Sequence, residues 1–342
     1  MIVSGMLSPA IQHALRLAME AGAQARGTTS PNPPVGAVIL DAAGQVVGVG
    51  HTQPPGGPHA EVMALADAGD KARGGTAVVT LEPCNHTGRT GPCAQALVAA
   101  SLSAVYYLHS DPTPQAGGGA TTLARSGVTV RQLDAPSGPQ DVLIPWLTAA
   151  SLGRPHVTLK FAQSLDGFTA AVDGTSQWIT GERAREYVHE DRARRDAILI
   201  GTGTALADNP SLTARFPDGS LRETQPRRVV VGSRDVRQHG AENLVRLGFE
   251  QYATPGQALA ELYSSGARDV LVEGGAGLAI SMLEMGCVDA VQAYLGNVIL
   301  GEGTGVLARA AASTLATAPR WQRTAVMELG DDLLVEYRKK GQ

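Results

Sequence analysis

The chain has 342 residues and a formal net charge of −4 at pH 7, and its 43% of hydrophobic residues is enough for more than one core. This length predicts two domains, and the absence of a long basic tract argues against a nucleic-acid duplex or an anionic membrane as the main partner. No apolar run is long enough for a membrane span and no secretion signal is evident, so we expect a cytoplasmic protein that acts on small molecules. The three cysteines, Cys84, Cys93 and Cys287, favour free thiols in a reducing compartment, with Cys287 as a small core residue.

The first part of the chain predicts helices that alternate with strands. Ser8-Pro9 supplies a hydroxyl cap and a proline at the first helical position, and we expect this helix to end at Gly22. Two later helices are expected to begin at His59 and at Cys93. Strands, the first two forming a hairpin, are predicted over residues 35–40, 46–50, 76–80, 104–108 and 128–132. This mixture of strands and helices predicts a three-layer αβα sandwich.

A segment containing Asp, Pro, Ser and Gly, residues 133–155, is expected to connect two domains, residues 1–148 and 154–342. The second domain also predicts an α/β fold, with strands over residues 157–161, 197–200, 228–231, 269–272, 291–295 and 333–337. Two of these strands lead into glycine-rich turns, 201–204 and 273–277, whose backbone N–H groups could bind phosphate. Neither turn has the full Rossmann fingerprint. The pair therefore predicts nucleotide binding on a different kind of sheet, and ordinary turn glycines remain the alternative.

The most specific motif is His59-Ala60-Glu61, followed by Pro83-Cys84 and Pro92-Cys93. An imidazole and two thiolates suit zinc, and three protein ligands leave the fourth tetrahedral position for water, as in catalytic zinc sites. Glu61 stands two residues after the first ligand, where it can take a proton from that water and pass it to a leaving amine. The motif predicts a zinc-dependent deaminase. A closed structural zinc site, with His86 as the fourth ligand, is the alternative.

The N-terminal half resembles the cytidine-deaminase superfamily, and specifically the pyrimidine deaminases of riboflavin biosynthesis. The resemblance is carried by Pro31-Asn32-Pro33, by His59-Ala60-Glu61-Val62 and by the run from Thr80 to Cys93, whose long insert between the cysteines is typical of this branch. It implies hydrolysis of the 2-amino group of a diamino-pyrimidinone that bears a phosphoribosylamino chain. The implied site residues are catalytic Glu61, the Zn²⁺ ligands His59, Cys84 and Cys93, and the substrate contacts Asn32, His86, Arg89 and Thr90.

One position departs from the pattern of that deaminase family. Many relatives carry a histidine where this chain has Thr52, and here His51 stands one position earlier. The substrate contact that the resemblance implies at this point is therefore open. Arg89, in contrast, is well suited to the substrate phosphate, because a guanidinium fork matches phosphate oxygens.

The C-terminal half is similar to the partner reductases of the same pathway, which have a dihydrofolate-reductase-like α/β fold. The resemblance is carried by Leu159-Lys160, Ser176-Gln177-Trp178-Ile179-Thr180, Leu206-Ala207-Asp208-Asn209-Pro210 and Glu273-Gly274-Gly275. It implies NADPH-dependent reduction of the opened ribose, with Lys160 polarising the sugar oxygen. The implied NADPH contacts are Ala162, Trp178, Thr204, Asp208, Ser233, Gly275, Ala276, Gly277, Leu278 and Ala279. The implied substrate contacts are Ser176, Arg192, Leu212, Arg215 and Glu273.

Together the two halves resemble the bifunctional riboflavin deaminase–reductases, with phosphoribosylaminopyrimidine substrates, and we expect a homo-oligomer, a dimer or a tetramer. By composition alone, Trp178 is a core residue, Lys160 is solvated, and the charged segment Arg183–Arg195 is a solvated helix face. A nucleic-acid-editing deaminase would need a basic surface and a short loop between the cysteines, and the chain has neither. A zinc-stabilised binding protein would leave Glu61 and the paired glycine turns unexplained.

Overall fold

The computed structural model describes residues 7–86, 91–135, 141–238 and 240–340 of the chain. The chain forms two compact units, Met1–Ser151 and Leu152–Gln342. Each unit has its own sheet and its own hydrophobic core. Within the described ranges, no helix combines the length and the apolar character needed to cross a membrane.

The first unit is built on a five-stranded sheet with the strand order β2-β1-β3-β4-β5. The strands are β1 (Gly36–Leu40), β2 (Val46–His51), β3 (Thr76–Leu81), β4 (Ala104–His109) and β5 (Thr129–Gln132). Strand β1 is antiparallel to both of its neighbours, whereas β3, β4 and β5 run parallel. The helices are α1 (Pro9–Ala25), α2 (Ala60–Ala68), α3 (Cys93–Ala99), α4 (Gly119–Arg125) and α5 (Ile144–Leu152).

The two faces of this sheet bury different helices, which gives three layers. Successive residues of β1 point to opposite faces, as the pleat of a strand requires. Ala37 and Ile39 pack in one core with residues of α2 and α3, whereas Val38 and Leu40 pack in the other with residues of α1. The predicted three-layer sandwich is therefore confirmed.

Helix α1 is longer than the sequence predicts. It begins as expected, with Ser8 Oγ accepting a hydrogen bond of 3.3 Å from Ile11 N, but it continues past Gly22 to Ala25. A Cβ on Gly22 would lie 2.9 Å from Pro34 O, so the glycine lets the helix approach the start of β1 closely. The expectation that Gly22 ends the helix is wrong, because this glycine serves packing between elements and not chain reversal.

The second unit is built on an eight-stranded sheet with the order β10-β9-β8-β11-β6-β12-β15-β14. Its strands are β6 (His156–Gln163), β8 (Ala197–Gly201), β9 (Arg227–Val231), β10 (Glu250–Tyr252), β11 (Asp269–Val272), β12 (Ala290–Leu295), β14 (Trp321–Leu329) and β15 (Asp332–Lys339). The first six strands in this order, from β10 to β12, are parallel to one another. Strand β15 is antiparallel to both of its neighbours, β12 and β14. The short strands β7 (Phe168–Ala170) and β13 (Thr304–Gly305) pair separately.

Helices cover both faces of the parallel strands. They are α6 (Glu182–Arg192), α7 (Thr202–Asp208), α8 (Glu242–Leu247), α9 (Pro255–Ser264) and α10 (Ala276–Glu284). On β8, Ala197 and Leu199 join a core with α9 and α10, whereas Ile198 and Ile200 join a core with α7 and α8. Cys287 is buried in the first of these cores, as predicted. Because the strands are parallel, the turns after β6, β8, β9 and β11 meet at one edge of the sheet.

Candidate active sites

The predicted zinc ligands come together in the first unit. His59 is the N-cap of α2, Cys93 is the first residue of α3, and Cys84 is the third residue after the end of β3. His59 Nδ1 lies 3.6 Å from Cys84 Sγ and 3.3 Å from Cys93 Sγ. Tetrahedral zinc with ordinary Zn–N and Zn–S bonds spaces such ligand atoms about 3.5–3.8 Å apart, so the donor set fits zinc.

The arrangement of this cluster is that of an open metal site. Among the described residues, His59, Cys84 and Cys93 are the ones whose ligand atoms all lie within 4.8 Å of one another, and His86 is outside the group. Hydrogen bonding from Cys93 lowers the pKa of Cys84, which favours the thiolate form that binds a metal. Three ligands with a free fourth position favour a catalytic site over a structural one.

Glu61 lies beside the ligands, in the first turn of α2. Its side chain is buried, and it borders a cavity of about 250 Å³ that His59 and Cys84 also line. Burial raises the pKa of Glu61 to about 7, and the negative charge of Cys84 adds to that shift. A carboxylate whose pKa lies near neutrality is well suited to exchange protons during a reaction.

Two of the four predicted substrate residues of the deaminase lie at this cavity. Asn32 and His86 line the cavity, and the Nδ1 atom of His86 is buried without a hydrogen-bond partner among the described residues. Arg89 and Thr90 lie outside the described residues. Thr52 also lines the cavity, where its Oγ1 accepts a hydrogen bond of 3.1 Å from Val35 N, whereas His51 is not among the lining residues.

One wall of this cavity consists of residues that the sequence does not predict. Asp111, Thr113, Gln115 and Ala116 form it, and Glu82 holds them in place. The buried Glu82 carboxylate accepts hydrogen bonds from Gly118 N at 3.1 Å, Ala120 N at 3.0 Å and Asp111 N at 3.3 Å. The contact joins segments about thirty residues apart, so no local pattern in the sequence indicates it.

The second unit contains a larger cavity, of about 780 Å³, along the carboxyl ends of the parallel strands. This volume is within the usual range for small-molecule and cofactor sites. The predicted residues that line it are Lys160, Ala162, Ser176, Thr204, Asp208, Glu273, Gly275, Ala276, Gly277, Leu278 and Ala279. The two glycine-rich turns meet here, because Gly275 N donates a hydrogen bond of 2.9 Å to Thr204 Oγ1.

The close approach of these turns fits a bound dinucleotide. A Cβ on Gly275 would lie 3.1 Å from Thr204 Oγ1, a closer contact than most Cβ atoms make, so a glycine suits this position. Backbone N–H groups at the start of α10 are then open to the cavity, as a pyrophosphate requires. The residues present therefore fit NADPH, even though neither turn has a Rossmann fingerprint.

A buried ion-pair cluster occupies one end of the second cavity. Arg192 Nε and Nη2 each donate a hydrogen bond of 2.8 Å to the Glu273 carboxylate, and Lys160 Nζ lies 3.9 Å from Glu273 Oε2. Burial lowers the pKa of Lys160, which the nearby Glu273 partly opposes. The same ammonium lies 5.3 Å from the centre of the Tyr294 ring. Lys160 is therefore a largely buried cation at the cavity wall, with 17% of its side chain exposed, and not a solvated strand end.

The charged segment that contains Arg192 is also less exposed than its composition suggests. Arg195 is buried and forms ion pairs with Asp191 at 2.9 Å and with Asp269 at 2.8 Å. Arg192 is not among the residues that line the cavity, but it pairs with Glu273, which is. The prediction of a solvated face from Arg183 to Arg195 is wrong for these two arginines, because each pairs with a carboxylate on β11 or directly after it, Asp269 or Glu273.

Several predicted reductase residues lie outside the cavity lining. Trp178 is 68% exposed, so its interpretation as a core residue is wrong, and its ring faces the Arg185 guanidinium at 4.6 Å. Ser233 is exposed, whereas its neighbours Gly232 and Arg234 line the cavity. Leu212 is buried in a core, and Arg215 donates a hydrogen bond of 2.7 Å to Thr213 Oγ1.

Comparison with known proteins covers both units. Residues 9–109 match the family model for the cytidine and deoxycytidylate deaminase zinc-binding region, and residues 155–335 match the RibD C-terminal domain. The chain is 64% identical over 311 residues to riboflavin biosynthesis protein RibD of Corynebacterium ammoniagenes, covering 90% of this chain and 92% of that protein. It is 46% identical over 333 residues to the Mycobacterium tuberculosis RibD, covering 95% and 96%.

Solved structures agree with these sequence matches. Acinetobacter baumannii RibD superposes with a TM-score of 0.84 at 34% identity, covering 97% of this chain and 99% of that chain. A Thermotoga maritima diaminohydroxyphosphoribosylaminopyrimidine deaminase/5-amino-6-(5-phosphoribosylamino)uracil reductase superposes with a TM-score of 0.81 at 29% identity, covering 96% and 99%. The similarity therefore extends over both units and over nearly the full length of these proteins.

Proposed function

The chain belongs to the RibD family of riboflavin biosynthesis proteins, and from this premise we propose which residues carry its two reactions. It is a bifunctional enzyme with a zinc-dependent pyrimidine deaminase and an NADPH-dependent reductase. The observation that supports the residue assignment best is that each unit has its own cavity. Glu61 and the metal ligands His59 and Cys84 border the first cavity, and Lys160 and Glu273 border the second.

In the deaminase, His59, Cys84 and Cys93 would hold Zn²⁺. When bound, the metal supplies the acidity that lets water ionise near neutral pH. Glu61 accepts the proton of the attacking water and delivers it to the departing amino group, so that an oxygen replaces nitrogen on the pyrimidine ring. Asn32 and His86, which line the same cavity, orient the ring, and Arg89 binds the substrate phosphate.

In the reductase, the glycine-rich turns would hold NADPH, which supplies a hydride when bound. Lys160 polarises the sugar oxygen and provides positive charge where negative charge develops as the ribose opens. Glu273 orients Lys160 and is itself held by Arg192, so the three side chains form one rigid group. Ser176 lines the cavity beside this group and contacts the substrate.

The finer aspects of the assembly are also proposals. We place the domain boundary in the 149–153 segment of the chain. We also propose a homo-oligomer, a dimer or a tetramer. Two cysteines that must remain thiolates for zinc support a cytoplasmic location. Light scattering on the purified protein measures the oligomeric state directly.

Product analysis tests the assignment of both reactions. The purified protein is incubated with the diamino phosphoribosyl substrate, with and without NADPH, and the products are identified by their masses in mass spectrometry. We expect the deaminated ribosyl compound alone without NADPH, and the ribityl compound when NADPH is present. An unchanged substrate in both reactions would contradict the proposed function.

A further inference from the structure

The edge of the sheet that borders the second cavity has a defined order. The strands whose carboxyl ends meet the cavity are neighbours in the order β9-β8-β11-β6. Lys160 lies on β6, the glycine-rich turns follow β8 and β11, and Arg234 follows β9. Neighbouring strands are about 4.8 Å apart, so three spacings separate the Lys160 end of the cavity from the Arg234 end by about 14 Å.

This order corresponds to the order of groups in a dinucleotide. The ring that gives up the hydride must lie near Lys160 and Glu273, where the sugar is reduced. The glycine-rich turns in the middle expose backbone N–H groups, which suit the pyrophosphate. The adenosine half then extends toward β9, where Arg234 lines the cavity.

Arg234 is positioned to bind an anion. Its Nε donates a hydrogen bond of 3.2 Å to Thr202 Oγ1. Its Nη2 lies against Gly203, because a Cβ built on that glycine would be 3.4 Å from Nη2. Lys160 and Arg234 are the cations among the described residues that line the cavity. Within the same described ranges no carboxylate pairs with Arg234, so its terminal donors are available to a ligand.

We infer that Arg234 binds the 2′-phosphate of NADPH and makes the reductase prefer NADPH to NADH. A guanidinium fork binds phosphate oxygens with two parallel hydrogen bonds, and a cation at the adenosine end meets the group in which the two cofactors differ. The inference rests on the proposed reductase function of the second unit. Arg234 is the neighbour of Ser233, which the sequence assigns to NADPH and which is not among the residues that line the cavity.

Equilibrium binding tests the inference without any need for turnover. The full-length protein is titrated calorimetrically with NADPH, NADH, 2′,5′-ADP and ADP. We expect Arg234→Gln to weaken binding of NADPH and 2′,5′-ADP by about 10- to 100-fold, the scale of hydrogen bonds to a charged group. Binding of NADH and ADP should change by less than about twofold, because neither has the 2′-phosphate.

Two further variants separate the effect of charge from that of geometry. Arg234→Lys keeps the charge without the fork and should recover part of the preference for NADPH. Arg237→Gln removes an arginine of the same loop that contacts the Phe249 ring and is not a cavity-lining residue, and it should leave all four affinities unchanged.

Each of the other outcomes has a distinct meaning. Equal losses for NADPH and NADH in Arg234→Gln would place Arg234 at the pyrophosphate and overturn the inference. Unchanged affinities would make Arg234 a surface residue and overturn it as well. If the parent protein binds neither dinucleotide, the reductase assignment of the second unit itself is wrong.

Discussion

The Arg192 guanidinium and the Glu273 carboxylate form two parallel hydrogen bonds of 2.8 Å between α6 and the turn after β11. Burial alone would raise the pKa of Glu273, but the charge and hydrogen bonds of Arg192, together with Lys160, lower it to about 2. An ordinary glutamate in an unfolded chain has a pKa of about 4.3. Glu273 therefore stabilises the folded unit above that value, and the contribution is lost as the pH falls toward 2.

We expect Glu273→Gln to destabilise the second unit at pH 7, by about 1–3 kcal/mol, because it leaves the largely buried Arg192 without its countercharge. The difference from the parent should shrink as the pH falls from about 5 toward 2, since the parent carboxylate is then protonated as well. Urea denaturation can be followed by fluorescence in a Trp146→Phe background, where the remaining tryptophans, Trp178 and Trp321, lie in the second unit.

Glu302→Gln is the matched control for this experiment, because Glu302 is an exposed carboxylate of the same unit. It should not change the urea midpoint at any of these pH values. A destabilisation by Glu273→Gln that stays constant down to pH 3 would show that the lost ion pair is not the cause.

Glu61→Gln tests the proton carrier of the deaminase. The variant keeps the shape of the side chain and removes its basicity, so deamination should fall by about a hundredfold or more. Zinc content, measured by atomic absorption, should remain that of the parent, because the ligands are His59, Cys84 and Cys93. Glu20→Gln, on the exposed side of α1, is the control. Loss of zinc from Glu61→Gln would assign the residue to the metal and not to the proton.

Lys160→Met tests the cation at the reductase site. The substitution keeps an unbranched side chain of similar length but removes the charge, and NADPH oxidation should fall by about a hundredfold or more. Deamination should continue, so the deaminated intermediate should accumulate and be visible by mass spectrometry. Lys340→Met removes an exposed lysine of the same unit and should change neither rate. Reductase turnover at the parent rate would exclude Lys160 from the chemistry.

Removal of zinc tests whether the two reactions need each other. A chelator that strips the metal should abolish deamination, because His59, Cys84 and Cys93 belong to the first unit. NADPH oxidation with added deaminated substrate should persist, since hydride transfer to the sugar needs no metal. Added Zn²⁺ should restore deamination. If both activities disappear while the protein remains folded, the two sites depend on each other.

The deaminase centre could be predicted from the sequence because its signals are local. His59 and Glu61 lie two residues apart at the start of one helix, and a proline precedes each of the two predicted zinc ligands Cys84 and Cys93. Ligand chemistry restricts such a cluster strongly, since few side chains bind zinc. The strands of the first sheet and six of the eight strands of the second were also predicted, because buried strands are runs of apolar residues of limited length. Strands β10 and β14 were not predicted, since none of their residues is fully buried.

Tertiary structure alone decided the features that depend on distant partners. Glu82 holds a cavity wall about thirty residues further along the chain. Arg192 is largely shielded from solvent because it pairs with Glu273, which follows a strand that the sequence cannot place beside α6. The position of Arg234 relative to Lys160 follows from the order β9-β8-β11-β6, in which strands distant in sequence are neighbours. Hydrophobic periodicity determines which face of a strand is buried, but it carries no information about which strand lies next to it.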